Sequence, residues 1–502
     1  MSKSKVYLVG AGPGDCSLIT VRGLELIKTA DCIIYDYLAN PGLLRFRKND
    51  CELVYAGKKA GAHTLPQSKI NRLLADKAKI HRSIVRLKGG DPFIFGRGAE
   101  EALYLQKKRI NFEIVPGVTS AIAVPAYAGI PLTVRSINSS VGFVTGHLDP
   151  ANKTSRIDWP ALAKGLETIV FLMGVSNLSL IVKNLIACGK PKHTPVALIR
   201  WGTTTRQQTI VGNLGNIVKL AEEAQIGPPA IIVVGEVVNL RKQLSWFENK
   251  PLFGKRIMIT RPEHQLSVLA EKLIQLGAEV MEAAAIKIIS LKADKQLTSA
   301  LSSRQYDWIF FTSQNGVLEF FSFLERAGKD LRILGKAKIC CIGPKTKESL
   351  EEKGIKADFV PRLFYAEALV KHFKQPEFRG KSVLLLRAKQ ARDVLARGLS
   401  DAGMSLKVID LYDTCIEKES VLKIKEALKE GIDLLTFTSS STVKNLIRLL
   451  GKDYRRKLSG VRLASIGPIT SGTLKEFGLK QDVQAKVFTI DGLVEAIIKS
   501  ND

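Results

Sequence analysis

At 502 residues, with 45% hydrophobic and 25% charged residues, the chain is too long for one domain and too apolar for disorder, so three or four lobes are expected. No run approaches the roughly 18 apolar residues of a membrane-spanning helix, and the apolar part of Met1–Gly10 is too short for a secretory leader, which predicts a cytoplasmic protein. Lys and Arg (75) outnumber Asp and Glu (48) to give +27, a surplus that attracts anions, while 7% aromatics and no basic tract with interleaved rings argue against a nucleic-acid groove.

The first apolar run, Val6-Tyr7-Leu8-Val9, predicts a strand ending in Gly10-Ala11-Gly12-Pro13-Gly14-Asp15. Glycines let backbone approach a ligand closely. Asp15 stands where a dinucleotide fingerprint needs its third glycine, and Pro13 lacks an amide, so a nicotinamide site is disfavoured and a nucleoside-like ligand favoured. Cys32-Ile33-Ile34-Tyr35 predicts a second strand that delivers Asp36 to its carboxyl end, where taken alone it reads more readily as a helix or turn cap. Ile84-Val85-Arg86-Leu87 predicts another, running through Lys88 into Gly89-Gly90-Asp91-Pro92-Phe93-Ile94-Phe95-Gly96-Arg97-Gly98. Paired glycines there expose backbone at the edge where open α/β sheets bind ligands; the rival reading is a turn that only reverses the chain. Val115-Pro116-Gly117-Val118-Thr119-Ser120 sets hydroxyls at a helix start.

Strands alternating with helices predict an α/β protein with mainly parallel sheets. The periodicity breaks over Ser245–Phe253, dividing the chain into residues 1–247 and 248–502. The later strands Ile257-Met258-Ile259-Thr260 and Val383-Leu384-Leu385-Leu386 belong to an internal repeat. Phe311-Thr312-Ser313 answers Phe437-Thr438-Ser439 (438 − 312 = 126), Ile342-Gly343-Pro344 answers Ile466-Gly467-Pro468 (467 − 343 = 124), and Gly254-Lys255 answers Gly380-Lys381 (380 − 254 = 126). A near-constant offset indicates a duplicated unit, and two similar lobes place a ligand between them. Seven cysteines without Cys-x-x-Cys and six scattered histidines predict reduced core thiols and no metal site.

These motifs carry a resemblance. Gly10–Asp15, Tyr35-Asp36, Gly57-Lys58-Lys59, Arg86–Pro92, Pro116–Ser120, Gly129-Ile130-Pro131-Leu132-Thr133, Trp201-Gly202-Thr203 and Pro228–Val238 together resemble the uroporphyrinogen-III C-methyltransferases, from about Val6 to about Phe253. The second half is similar to the uroporphyrinogen-III synthases through Thr260-Arg261-Pro262, Phe311-Thr312-Ser313, Leu411-Tyr412-Asp413-Thr414 and both Ile-Gly-Pro-x-Thr turns. The resemblance implies a methylase of two α/β lobes (about 1–116 and 117–247) that binds S-adenosylmethionine between them and pairs as a homodimer. It implies a bilobal α/β synthase in residues 248–502, without a cofactor, whose lobes are joined by two crossing segments. The implied reactions are closure of hydroxymethylbilane to uroporphyrinogen III with inversion of the last ring, then two methylations giving precorrin-2. Rivals are a related methylase acting on another tetrapyrrole or on RNA, beside an inactive scaffold half.

Residue by residue, the resemblance implies Asp36 as proton acceptor and Lys58 as proton donor. It implies that Pro13, Gly89, Gly90, Asp91, Ile94, Thr119, Ser120, Met173 and Gly202 hold the methyl donor; Ser120 stands where many relatives carry Ala, and core packing is the alternative for Met173. In the synthase, Tyr412 would assist departure of the substrate hydroxyl. Thr312, Ser313, Thr438, Ser439, Gly467 and Thr470 would meet substrate carboxylates, with plain helix capping an equal reading. Arg97 and Arg261 are the preferred carboxylate clamps, with Lys58, Lys59, Arg86, Lys88 and Arg135 as further cations near the methylase site.

Overall fold

The computed structural model describes residues 4–57, 65–146, 157–260, 268–282, 287–303, 305–361, 365–391, 393–415 and 418–501. The chain forms two compact units, residues 1–256 with 272–279 and 501–502, and residues 257–271 with 280–500.

The first unit opens on a sheet built from β1 (Lys5–Gly10), β2 (Cys32–Tyr35), β3 (Glu52–Tyr55), β4 (Ser83–Lys88) and β5 (Asn111–Val115), in the order β3-β2-β4-β1-β5. Its pairings are all parallel. Val6, Leu8, Ile33, Ile34, Ile84, Val85 and Leu87 have no exposed surface, because helices cover both faces. Parallel strands bring the loops after β1, β2 and β4 to one edge, and that edge holds Gly10, Asp36 and Gly89.

The second sheet contains β6 (Val141–Thr145), β7 (Thr168–Leu172), β8 (Pro195–Arg200), β9 (Gln208–Asn213) and β10 (Ala230–Val234), in the order β6-β7-β10-β8-β9. Here the expectation of mainly parallel pairing fails: only β6 and β7 are parallel, and β10 runs antiparallel to both its neighbours. The reason is local. Residues 201–207 are too few for a crossover, so β8 and β9 pair antiparallel. The aperiodic segment after β10 is packed, not loose. Phe247 and Leu252 are buried, and the Trp246 indole donates to the Ala126 carbonyl at 3.0 Å. Glu248 accepts from Arg241, Gln207 and Thr209.

The second unit contains β11 (Arg256–Ile259), β12 (Glu279–Glu282), β13 (Lys287–Ser290), β14 (Trp308–Phe311), β15 (Lys338–Cys341), β16 (Ser382–Ala388), β17 (Ser405–Cys415), β18 (Leu434–Phe437), β19 (Arg462–Ser465) and β20 (Val483–Gln484). Two sheets form, β12-β11-β18-β19-β20 and β13-β17-β16-β14-β15. Strands β14 and β15 of one answer β18 and β19 of the other, and β11 answers β16. Each copy of the repeat is therefore shared between both sheets, and the chain crosses between them after β12 and after β17.

Candidate functional site

In the first unit three loops meet at the carboxyl edge of the parallel sheet. Gly12 and Gly90 exchange backbone hydrogen bonds (2.7 and 3.2 Å), and the Ala11 amide donates to the Lys88 carbonyl. A Cβ on Gly10 would lie 2.5 Å from Gly117 Cα and 2.7 Å from the Gly90 carbonyl, so the three turns touch backbone to backbone. Gly90 itself has φ 68°, and an added Cβ would meet nothing closer than the Ser120 amide nitrogen at 3.8 Å, an ordinary contact. The Asp91 carboxylate braces this cluster, accepting from the amides of Phe93 (2.7 Å), Ile94 (3.1 Å) and Gly117 (2.9 Å). Thr119 is buried and caps the helix Ser120–Tyr127 through the Ala121 amide. Pro13 and Ser120 are half-buried on the same edge, and Ile94 is exposed.

The second lobe joins at the same place. The Asp15 amide donates to Thr203 Oγ1 (3.1 Å), the Tyr127 hydroxyl donates to Asp15 Oδ2 (2.9 Å), and the Tyr37 and Trp201 rings lie edge-on at 6.4 Å. Burial and the Asp15 carboxylate push the Tyr127 hydroxyl far above the usual phenol range. Gly202 is buried, and a Cβ there would strike Val124 at 2.3 Å. Met173 lies just past β7 and is 51% exposed, which removes the core-packing alternative. Phe95, Arg97, Met173, Trp201 and Thr203 all hold left-handed backbone (φ 50–65°), strain that non-glycine residues rarely carry and that gathers at functional loops.

Asp36 lies just past β2, half-buried, and its Oδ1 accepts from Arg86 Nη2 at 2.6 Å. Arg86 and Lys88 are 1% and 3% exposed, and both reach the fully buried Glu101. Neither is a solvent-facing cation: alternate positions on β4 point into the face covered by the helix Gly98–Lys107. Burial, with Arg86 adding repulsion, pulls the Lys88 ammonium below the ordinary lysine range. Arg97 is exposed and forks onto Glu100 (2.8 Å twice), and Arg135 is exposed. Lys58, Lys59 and Arg261 lie outside the described residues.

The synthase-like candidates fall on two sheets. Beside β14, Thr312 Oγ1 donates to the Leu386 carbonyl (3.1 Å), and Ser313 caps the helix Gln314–Arg326. The Ser313 hydroxyl pairs with the buried Tyr412 hydroxyl at 2.9 Å. Beside β18, Ser439 caps the helix Ser440–Leu450, Thr438 is half-buried, and Thr470 is buried. Gly467 precedes the helix Pro468–Glu476, and Ser440 Oγ donates to the Ile469 carbonyl (3.3 Å), which draws the two turns together. Ile469 and Phe488 are 82% and 62% exposed beside them, apolar surface that the polar turn motifs did not announce.

Two other features have structural explanations. Cys32, Glu52 and His81 place donor atoms within 4.8 Å of one another. Glu52 is already engaged by Lys77 and His81, and Cys32 is fully buried in the strand core, so ion pairing and packing account for the three groups. A cavity of about 780 Å³ at the opposite sheet edge is rimmed by Arg72, Lys79, Lys108 and Arg109. Helices Gln67–Lys77 and Gly98–Lys107 end there, and cations suit helix carboxyl ends.

Residues 5–218 match the family Tetrapyrrole (Corrin/Porphyrin) Methylases, and residues 267–495 match the family Uroporphyrinogen-III synthase HemD. The chain is 38% identical over 501 residues to the porphyrin biosynthesis protein HemD of Ruminiclostridium josui, covering 99% of this chain and 98% of that one. It is 52% identical over 236 residues to the S-adenosyl-L-methionine-dependent uroporphyrinogen III methyltransferase of Methanosarcina barkeri, covering 47% of this chain and 92% of the relative. Among solved structures, the uroporphyrin-III C-methyl transferase of Thermus thermophilus complexed with S-adenyl homocysteine is 36% identical, at a TM-score of 0.41 over 47% of this chain and 100% of that one.

Proposed function

This chain belongs to the family that joins a tetrapyrrole methylase to a uroporphyrinogen-III synthase, and from that premise we propose how its residues divide the work. The synthase half closes hydroxymethylbilane to uroporphyrinogen III with inversion of the last ring, and the methylase half methylates that product twice to give precorrin-2. The observation that carries this is the identity to one relative running through both halves in order, which favours it over a related methylase beside an inactive scaffold half. We assign residues 1–247 to the methylase (lobes about 1–116 and 117–247) and 248–502 to the synthase lyase. The free thiols among the described residues support a reducing, cytoplasmic setting, and family resemblance supports a homodimer through the methylase half.

When bound, S-adenosylmethionine supplies a methyl group already activated on sulfur; the name of the Methanosarcina barkeri relative supports this donor. The residues present fit such a ligand: Gly90 offers uncrowded backbone, Thr119 and Ser120 offer hydroxyls at a helix start, and Ile94 and Met173 offer exposed apolar surface. Pro13, Gly89, Asp91 and Gly202 shape the same loops, Asp91 by bracing them and Gly202 by its close approach to Val124. The methylated pyrrole carbon is already fully substituted and carries no hydrogen, so the cationic macrocycle formed on methyl transfer loses its proton from another position; Asp36 accepts that proton, and Lys58 serves as proton donor. Arg97 at the rim turns from Glu100 to a substrate carboxylate, and both ion-paired groups are exposed enough to exchange partners. In the second unit Tyr412, held by Ser313, assists departure of the substrate hydroxyl. Arg261 with the turns at Thr312, Ser313, Thr438, Ser439, Gly467 and Thr470 receives the carboxylates. No cofactor is assigned there, because loss of hydroxide already creates the electrophile.

The test supplies hydroxymethylbilane anaerobically, with and without S-adenosylmethionine, to the wild type and Asp36→Asn, and reads product isomer and methyl count by mass spectrometry. The wild type is expected to form the type III isomer without donor and a dimethylated product with it. Asp36→Asn is expected to keep the isomer and lose about 100-fold or more in methylation rate. Type I isomer alone would sink the synthase assignment, and undiminished methylation would sink that of Asp36.

A further inference from the structure

Four charged side chains, Asp36 among them, form one connected group. Arg86 Nη2 donates to Asp36 Oδ1 (2.6 Å), Nη1 to the Ile34 carbonyl (3.4 Å) and Nε to Glu101 Oε1 (3.2 Å). Lys88 Nζ (2.9 Å) and Gln67 Nε2 (3.2 Å) donate to the same Glu101 oxygen, whereas Glu101 Oε2 is buried and accepts from nothing among the described residues. The two cations and two carboxylates balance. Arg86, Lys88 and Glu101 are 1%, 3% and 0% exposed.

Fold stability does not account for this arrangement. Removing charges from water costs several kcal/mol per ion, and apolar residues of equal volume commonly serve a fold as well or better. The neighbouring positions of the same strand, Ile84, Val85 and Leu87, show that this sheet takes aliphatic residues readily. What the cluster provides is direction. Arg86 lies opposite Ile34 in the β2–β4 register, two residues before Asp36, so its planar fork spans from the buried Glu101 to the strand end. One Asp36 oxygen is thereby fixed, and the other, Oδ2, accepts no hydrogen bond among the described residues and remains available for a proton.

We propose that Arg86 is the positioning residue for Asp36, and that Glu101 with Lys88 is the buried anchor that fixes the Arg86 fork. The inference rests on the reading of Asp36 as proton acceptor. Lysine in place of Arg86 keeps a charge but reaches one partner instead of three, and methionine removes the charge at similar length. Glu101→Gln keeps shape and loosens the fork from behind.

The test measures methylation kcat and KM for uroporphyrinogen III, together with S-adenosylhomocysteine binding by calorimetry, in the full chain. Variants are Arg86→Met, Arg86→Lys, Glu101→Gln and Asp36→Asn, with Arg86→Met also combined with Asp36→Asn. Arg86→Met is expected to lower kcat about 100-fold with KM and S-adenosylhomocysteine affinity within about threefold of wild type. Arg86→Lys is expected to recover at least tenfold of that loss. In the Asp36→Asn background Arg86→Met is expected to cost less than about twofold more, since a residue acting through Asp36 has nothing left to position. Full additivity in the double variant, or a loss confined to KM or to S-adenosylhomocysteine affinity, overturns the proposal while leaving Asp36 standing. Full activity of Asp36→Asn overturns the reading beneath it. Where Arg86→Met does not fold, Glu101→Gln decides: wild-type kcat there overturns the anchor, and a kcat loss at constant S-adenosylhomocysteine affinity supports it.

Discussion

Gly202 is a residue whose identity is set by a neighbour distant in sequence. A Cβ there would sit 2.3 Å from one Val124 methyl carbon and 2.5 Å from the other, and Val124 belongs to the helix capped by Thr119. Gly202→Ala is expected to push that helix away, lowering the unfolding midpoint by several degrees, as overpacking of about 1–3 kcal/mol does. It is also expected to weaken S-adenosylhomocysteine binding about tenfold or more, read by calorimetry; wild-type affinity would show that this contact does not shape the donor site. The family motif singled out Gly202, but no local pattern could supply the reason for it, which lies on another element. The same limit explains Arg86 and Lys88. Their i, i+2 spacing inside an apolar strand was a readable sign of burial on one face, yet the partner that makes burial tolerable, Glu101, becomes adjacent only when a helix folds over the strand. The left-handed backbone at Arg97, Trp201 and Thr203 had no signal at all, since none is glycine.

Elements were more legible than their partners. The run at residues 32–35 coincides with β2, and those at 84–87 and 383–386 lie inside β4 and β16, because near-continuous aliphatic stretches between glycine turns have few other folds. Pairing direction was less visible: β8 and β9 look like the parallel strands, and only the length of the 201–207 turn separates them. The repeat was legible by counting, and its division between two sheets has a kinetic consequence. In one sheet of the second unit two pairs are near in sequence, Ser382 with Ser405 and Trp308 with Lys338, and β13 joins β17 across 128 residues (415 − 287 = 128). In the other, Ile257 pairs with Leu434, a separation of 177 residues (434 − 257 = 177). Loop closure grows as about (3/2)RT ln n, so against the Trp308–Val383 pair (383 − 308 = 75) the longer closure costs only about 1 kcal/mol more. The order of events matters more than that small term, because β18 must find β11 after everything between has collapsed. Refolding under pulsed hydrogen exchange is expected to protect β14, β16 and β17 before β11 and β18. Simultaneous protection of both sets would show that the two sheets form as one step.

For the whole molecule, two titrations of opposite sign meet above neutral pH. The chain carries +27 at pH 7 and has a pI near 9.7, so raising the pH toward that value relieves self-repulsion and favours the compact state. Against this stand the thiols, which occur in both units. Burial pushes Cys32 up to about 12 and Cys16 and Cys341 up to about 11, and raises Cys51 and Cys340 as well, from an ordinary value of 9.0. A folded-state pKa above the unfolded one means that the native state holds protons the unfolded state has released. The stabilisation is therefore complete below about pH 9 and is lost as pH climbs from there through the folded values. A thiol raised as far as Cys32 corresponds to on the order of 4 kcal/mol by pH 12, so several together outweigh the relief of charge. The urea midpoint is thus expected to hold or rise slightly from pH 7 to 9 and to fall steeply between 9 and 12. Replacing the fully buried Cys32 by Ala costs stability at pH 7 through the lost sulfur contacts, but it is expected to flatten the alkaline fall, so the two curves converge as pH rises. Parallel curves for wild type and variant would assign the alkaline loss to the lysines instead, and would remove the thiols from the account of why this basic chain stays folded.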